Sequence, residues 1–254
     1  MNRIYSAINF ALLALVLMAF QSCDDDFKVE YKTFSKNQCV RADQCVDYQV
    51  VYPVFIGDTS SISPLLAGIR QYLLELGGVP LELPLDAGLE QGSKGYIQSF
   101  VIAMQSDSRP NIWSLQVIGT LPLINEKVIN CDFKLNAKTP ENSTYTSTRI
   151  NSYDRAAGKF LTLQDIVMDP ESIRADVEKG FRKAQDLPEN YDLAQILSFL
   201  HGGKLPMSPN ITVTPEGLRF FYNWYEYANR PMPVADFTLS WEQLGARADK
   251  SRWF

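Results

Sequence analysis

Very little in this chain is suited to catalysis. Among 254 residues there is one histidine, His201. A Ser-His-Asp triad would have to use that residue, and no histidine cluster for zinc can form. His201-Gly-Gly-Lys204 resembles the oxyanion loop of esterases, but the chain has no Gly-x-Ser-x-Gly nucleophile elbow to accompany it. A turn after a helix, with Gly202 as its cap, accounts for the segment. The glycines near 77–78 and 92–95 lack the Lys-Ser/Thr ending of a phosphate loop. No basic stripe exists, and the net charge of −5 argues against nucleic acid as a partner. Cofactors are not expected. Acidic side chains are scattered: Glu75 with Glu82 and Asp86, Glu141, and Asp165 with Asp169. Glycosidase chemistry needs two carboxylates across a cleft, which sequence alone does not reveal.

Long apolar runs are also absent, with one exception at the start. Arg3 and the amino end are followed by Phe10 to Phe20, eleven residues without a polar side chain, and then by Gln21-Ser22-Cys23. Roughly 20 apolar residues are needed to span a bilayer, so the run suits a cleaved secretory signal over 1–22 rather than a permanent helix. Cys23 at the cut is similar to the lipobox cysteine of bacterial lipoproteins, with Phe20 where that motif usually carries Leu. That likeness implies acylation of Cys23, a membrane partner through the lipid, and residence in the bacterial cell envelope, at the outer membrane on its periplasmic or surface face. Several acyl chains on one cysteine hold durably, since each buried methylene contributes about 0.8 kcal/mol. Residues 23–44, opening on Asp24-Asp25-Asp26 and continuing through Lys28 to Lys36, read as a polar tether. The acidic cluster also resembles the surface-export signals of Bacteroidetes lipoproteins.

Three cysteines remain: Cys39, Cys45 and Cys131. An oxidising envelope permits a disulfide, and Cys39 with Cys45 is the first choice; two thiols without further ligands make a poor zinc site. Cys131, inside an apparent strand, reads as a small core residue.

The patterning beyond residue 44 mixes periods. Val46, Tyr48, Val50, Tyr52, Val54 and Ile56 alternate as a strand does. Ser63-Pro64 opens a helix carrying Leu65, Ile69, Tyr72, Leu73 and Leu76, and Gly77-Gly78 closes it. A loop over Val79 to Gly95 then leads to four expected strands, Tyr96–Gln105, Ile112–Leu121, Lys127–Leu135 and Thr144–Tyr153, arranged as an antiparallel meander. Helices are expected at Pro170–Ala184 and Asp192–Leu200, a hairpin at Ile211–Val213 and Leu218–Tyr227, and a strand at Val234–Leu239. Ser240 with Gln243 forms a capping box for a last helix. The ordering predicts an α+β fold, an antiparallel sheet with helices packed mainly on one face.

One cluster stands out. Phe220, Phe221, Tyr222, Trp224, Tyr225 and Tyr227 are dense in aromatics. On a continuous strand they would divide between two faces, one in the core and the other either covered or a platform for a glycan or protein. Tyr222, Trp224, Tyr225 and Tyr227 are the candidate ligand-binding residues.

The succession of motifs resembles two families. Asn151-Ser-Tyr-Asp-Arg-Ala-Ala-Gly-Lys-Phe-Leu-Thr-Leu-Gln-Asp-Ile166 is similar to the opening of domain of unknown function 3298. Its closing signature resembles Ile211-Thr-Val-Thr-Pro-Glu-Gly-Leu-Arg-Phe-Phe-Tyr-Asn-Trp-Tyr-Glu-Tyr227 together with Phe237-Thr-Leu-Ser-Trp-Glu-Gln-Leu244. Upstream, Val50-Val-Tyr-Pro-Val-Phe55 resembles domain of unknown function 4163. The expected division is 45–150 and 151–254, packed as one unit. Such pairs occur in RsiV-type anti-sigma factors, which sense lysozyme, and in the N-terminal region of a peptidoglycan deacetylase. The resemblance implies an extracytoplasmic binding or sensing module, with peptidoglycan or a lysozyme-like protein as partner, and transfers no catalytic residue. An envelope hydrolase using paired carboxylates, or a structural subunit of an outer-membrane assembly, are the alternatives to a non-catalytic binder.

Overall fold

The computed structural model describes residues 27–79, 82–107, 109, 111–138, 144–197, 204–228 and 230–254. Cys23, the acidic run 24–26, Glu141 and His201 lie outside them. Strands β1 (Phe27–Arg41) and β2 (Gln44–Gly57) form an antiparallel hairpin. Helices α1 (Ser63–Leu76) and α2 (Leu85–Met104) follow. Next come β3 (Asn111–Ile124), β4 (Val128–Lys138), β5 (Thr144–Asp154) and the short β6 (Lys159–Phe160). Helix α3 (Leu163–Ile166) is a single turn, and α4 (Arg174–Ala184) is longer. Strands β7 (Ile211–Val213) and β8 (Gly217–Tyr222), helix α5 (Trp224–Tyr227), strand β9 (Ala235–Ser240) and helix α6 (Trp241–Leu244) complete the order.

Two expectations fail here. The tether proposed over Lys28 to Lys36 is strand β1. It pairs with β2 along its length, and Phe27, Val29 and Phe34 give it apolar contact, with Phe34 edge-on to Tyr48 at 6.1 Å. Cys39 faces Cys45 across the hairpin, and the two are joined by a disulfide. The second correction concerns residues 79–105. The loop and strand expected there are replaced by a 20-residue helix, α2. Its glycines disguised it, because glycine disfavours helix by up to about 1 kcal/mol per residue. Two of them are set by packing against the end of α1: a Cβ on Gly88 would lie 2.4 Å from Leu74 Cδ2, and one on Gly92 2.5 Å from Val79 Cγ2.

With two helices between them, β2 and β3 run parallel, Val46 beside Trp113 and Val50 beside Val117. From β3 to β6 each pairing is antiparallel, which gives the expected meander for β3, β4 and β5. The sheet order is β1-β2-β3-β4-β5-β6. One face carries Tyr48, Val50, Val117, Phe133 and Leu135 against Leu65, Ile69, Leu73 and Leu89 of α1 and α2. Cys131 is buried on this face, as expected of a core residue, and burial pushes its thiol pKa up. The boundary at 150/151 falls inside β5.

A second sheet, in the order β7-β8-β9, packs on the opposite face over β4 and β5. Asn130 Nδ2 donates to the Val213 carbonyl at 2.8 Å, Ser152 Oγ donates to Asn130 Oδ1 at 2.6 Å, and the Val213 N–H donates to Ser152 Oγ at 3.0 Å. These buried groups satisfy one another, as buried polar groups must. Helix α4 closes the small sheet's outer face through Phe181, edge-on to Tyr222 at 5.4 Å. The result is an α+β fold. Of the stretch Asp192–Leu200 expected to be helical, residues 192–197 are described, and among these the helical element is the 3₁₀ turn Leu193–Gln195.

Candidate binding surface

The aromatic run is not one strand. Strand β8 stops at Tyr222, and Trp224–Tyr227 is a one-turn helix. Asn223 makes the change. Its Oδ1 accepts from the Thr148 N–H at 2.7 Å and its Nδ2 donates to the Thr148 carbonyl at 2.8 Å, so it satisfies the backbone of β5 at a point where β6 does not reach. The Glu226 carboxylate accepts from the Asn223 N–H at 3.2 Å and from Asn223 Nδ2 at 2.7 Å, closing the helix start. Asn210 Nδ2 donates to Glu226 as well, at 2.6 Å.

The break redistributes the four candidate ligand residues. Tyr222 and Tyr227 are fully buried and belong to the core, so neither offers a surface to a ligand. The Tyr222 hydroxyl donates to the Pro206 carbonyl at 2.9 Å, and that of Tyr227 to the Pro233 carbonyl at 2.7 Å. Trp224 is half-buried and Tyr225 is 40% exposed. These two form a platform with Tyr145 of β5, which is 42% exposed. The rings of Tyr225 and Tyr145 stack at 5.9 Å with 22° between planes, and Trp224 stands edge-on to Tyr225. Tyr225 Oη and Ser147 Oγ share a hydrogen bond of 2.6 Å. Burial pushes the Tyr225 pKa up to about 12, so the phenol is neutral at any physiological pH.

Strand register places the platform. Leu115 pairs with Ala137 and Ala137 with Tyr145, so one row of side chains runs from β3 to β5 on the helix-bearing face. Two residues along β5 from Ser147, Arg149 forms an ion pair with Glu75 of α1 at 2.5 Å and lies over the Tyr72 ring at 5.4 Å. At the other end of the row is a groove of about 360 Å³ floored by Leu76 and Leu115 and walled by Tyr96. Sequence reasoning missed Tyr145, Arg149 and Tyr96. The only signal for Tyr145 was its large aromatic ring within the polar run Thr144-Tyr-Thr-Ser-Thr148.

Several of the carboxylates are engaged in structural contacts. Asp165 holds Lys159 at 2.5 Å and caps α3 through Thr162. Asp169 accepts from the Glu171 N–H. Burial raises the pKa of Asp132, which together with Asp236 clasps Arg219 beside a second groove of about 350 Å³ between the two sheets. No group of three or more His, Cys, Asp or Glu suited to a metal occurs among the described residues. No helix among them is long and apolar enough to cross a membrane.

No protein-family profile matches this chain, and no functionally characterised protein matches it in sequence. Solved structures do. A domain of unknown function 3298 family protein from Pseudomonas aeruginosa PAO1 superposes with a TM-score of 0.64 at 17% identity, over 90% of this chain and 97% of its own. A member of the same family from Bacteroides fragilis superposes with a TM-score of 0.65 at 10% identity, over 89% of this chain and 96% of its own. The fold is therefore shared with domain of unknown function 3298 proteins along nearly the whole of each.

Proposed function

We propose that this protein is a cell-envelope lipoprotein, anchored through acylated Cys23, that binds a cell-wall glycan without catalysing a reaction on it. The observation that carries the reading is the exposed Tyr145–Tyr225 stack with Trp224 at its side. Sugars present C–H faces to aromatic rings and hydroxyls to hydrogen-bonding groups, and Tyr and Trp are rigid and amphipathic. The signal-like start with Cys23 and the resemblance to the paired domains of RsiV-type anti-sigma factors and a peptidoglycan deacetylase support an envelope address and a wall-related ligand. Engagement of Asp132 by Arg219, and of Glu226 by Asn223 and Asn210, supports a structural use of these half-buried carboxylates over a hydrolase. A second reading, capture of a basic lysozyme-like protein, is favoured by the acidic net charge of −5.

The test is co-sedimentation of the full chain with purified peptidoglycan, alongside pull-down with lysozyme. Retention on peptidoglycan that is lost in Tyr225→Ala supports the glycan reading. Retention by lysozyme alone transfers the surface to the protein ligand, and failure to bind either partner at millimolar concentration overturns both. Mass spectrometry of the envelope fraction should find Cys23 acylated; an unmodified, freely secreted chain would remove the anchor.

A further inference from the structure

The groove between α1 and α2 has properties that the platform alone does not use. Gly77, Gly92 and Gly95 border it, exposing backbone where side chains would otherwise stand. A Cβ on Gly95 would meet nothing within 4 Å, so this position opens directly into the groove. Among the described residues no lining side chain is charged; Gln91 and Ser99 supply neutral donors and acceptors, and Tyr96 supplies an aromatic wall. Behind the glycines lies Tyr48, 1% exposed, whose hydroxyl would sit 2.8 Å from a Cβ on Gly77 and 3.1 Å from one on Gly92. That hydroxyl has no hydrogen-bond partner among the described residues, although buried hydroxyls generally have one.

Groove and platform are joined. Tyr96 Oη donates to the Lys138 carbonyl at 3.2 Å, and Lys138 pairs with Thr144, the residue before Tyr145. Leu115 in the groove is two strands from Tyr145, about 10 Å across the sheet. We infer that the glycine-bordered groove and the Tyr145–Tyr225–Trp224 platform are two subsites of one binding site, which takes a neutral oligosaccharide lying across the strands rather than a single sugar. This rests on the glycan reading above. A neutral lining suits uncharged sugar rings, the open backbone and the amide of Gln91 suit their hydroxyl and acetamido groups, and the distance between the two subsites exceeds one ring.

The probe is a series of β-1,4-linked N-acetylglucosamine oligomers, from disaccharide to hexasaccharide, titrated calorimetrically into the full chain. Affinity should rise about tenfold or more along the series as the second subsite is engaged. Gly95→Arg, which projects a side chain into the groove, should abolish that rise and leave the disaccharide affinity within about twofold of the parent. Gly95→Ala serves as control: both variants replace a helical glycine by a better helix former, so neither should lower the melting temperature. Affinity independent of length, or a rise that survives Gly95→Arg, overturns the second subsite and leaves the platform standing. If no oligomer binds while the parent melts cooperatively, the platform and the groove fall together.

Discussion

Phe220, Phe221 and Tyr222 end strand β8 inside the core, while Trp224 and Tyr225, a few residues on, reach the surface. Both halves of the run are aromatic, and composition does not distinguish them. What separates them is Asn223, whose side chain pairs with the backbone of Thr148 and turns the chain from strand into helix. In the first half the rings meet Phe181 and Phe237; Tyr222 and Phe237 stack at 6.2 Å. In the second half Tyr225 crosses the edge of the large sheet to Ser147 and Tyr145. Rings in one run thus become either core or platform according to which sheet the backbone delivers them to.

Removing a ring on each side of Asn223 should give opposite results. Tyr222→Ala deletes a fully buried side chain and leaves the Ser208 N–H without its acceptor. It should destabilise by about 4 kcal/mol, read by urea denaturation. Asn223→Ala comes next. It strips the Thr148 N–H and carbonyl of their partners and Glu226 of the Asn223 Nδ2 donor, for roughly 3 kcal/mol, with loss of glycan retention as α5 detaches. If Asn223→Ala melts like the parent, the residue does not divide the run and the comparison fails.

Tyr225→Ala tests the exposed half. The ring is partly exposed and gives up one hydrogen bond and one stack, so stability should fall by about 1 kcal/mol. Retention on peptidoglycan should fall about tenfold or more, as for an aromatic hot spot. A variant with lost stability and unchanged retention would place Tyr225 with Tyr222 as packing.

Much of this fold is legible in the sequence where local signals agree with tertiary ones. Helix α1 begins at Ser63-Pro64 and ends at Gly77 and Gly78, the latter at φ +69° where glycine alone is comfortable. The capping box Ser240/Gln243 starts a helix where its spacing requires. Strand β1 escapes because an edge strand is half solvated; its charges Lys28, Lys32 and Lys36 read as a tether. Helix α2 escapes because Gly88 and Gly92 serve packing against Leu74 and Val79, not helix propensity. The platform is the least legible part. Tyr145 and Tyr225 meet only through the register of β4 with β5 and the hydrogen bonds of Asn223, neither of which leaves a local mark. The candidate residues Tyr222 and Tyr227 were misassigned for the same reason, since alternation along a strand cannot foresee where the strand stops.

The smallest effect concerns two carboxylates at the same position of two one-turn helices, Asp165 in α3 and Glu226 in α5. The Lys159 ammonium and the Thr162 N–H hold Asp165 down at a pKa of about 2. Its folded value is below its ordinary 3.8, so its contribution is fully present above that pH and is lost as pH falls through about 2. The difference in stability between the parent and Asp165→Asn should therefore shrink in acid, and weaken in salt, because Lys159 is exposed. Glu226 behaves oppositely: burial raises its pKa against the hydrogen bonds from Asn223 and Asn210 that lower it. The protonated form is favoured on folding, so its contribution is present below the ordinary 4.5 and lost as pH rises through the raised folded value. Glu226→Gln, which keeps the shape without ionising, should gain on the parent as pH climbs past that window. Melting both variants across the acid range gives the comparison its sharpest form, since parallel slopes would mean that burial at α5 does not outweigh the hydrogen bonds of its cap.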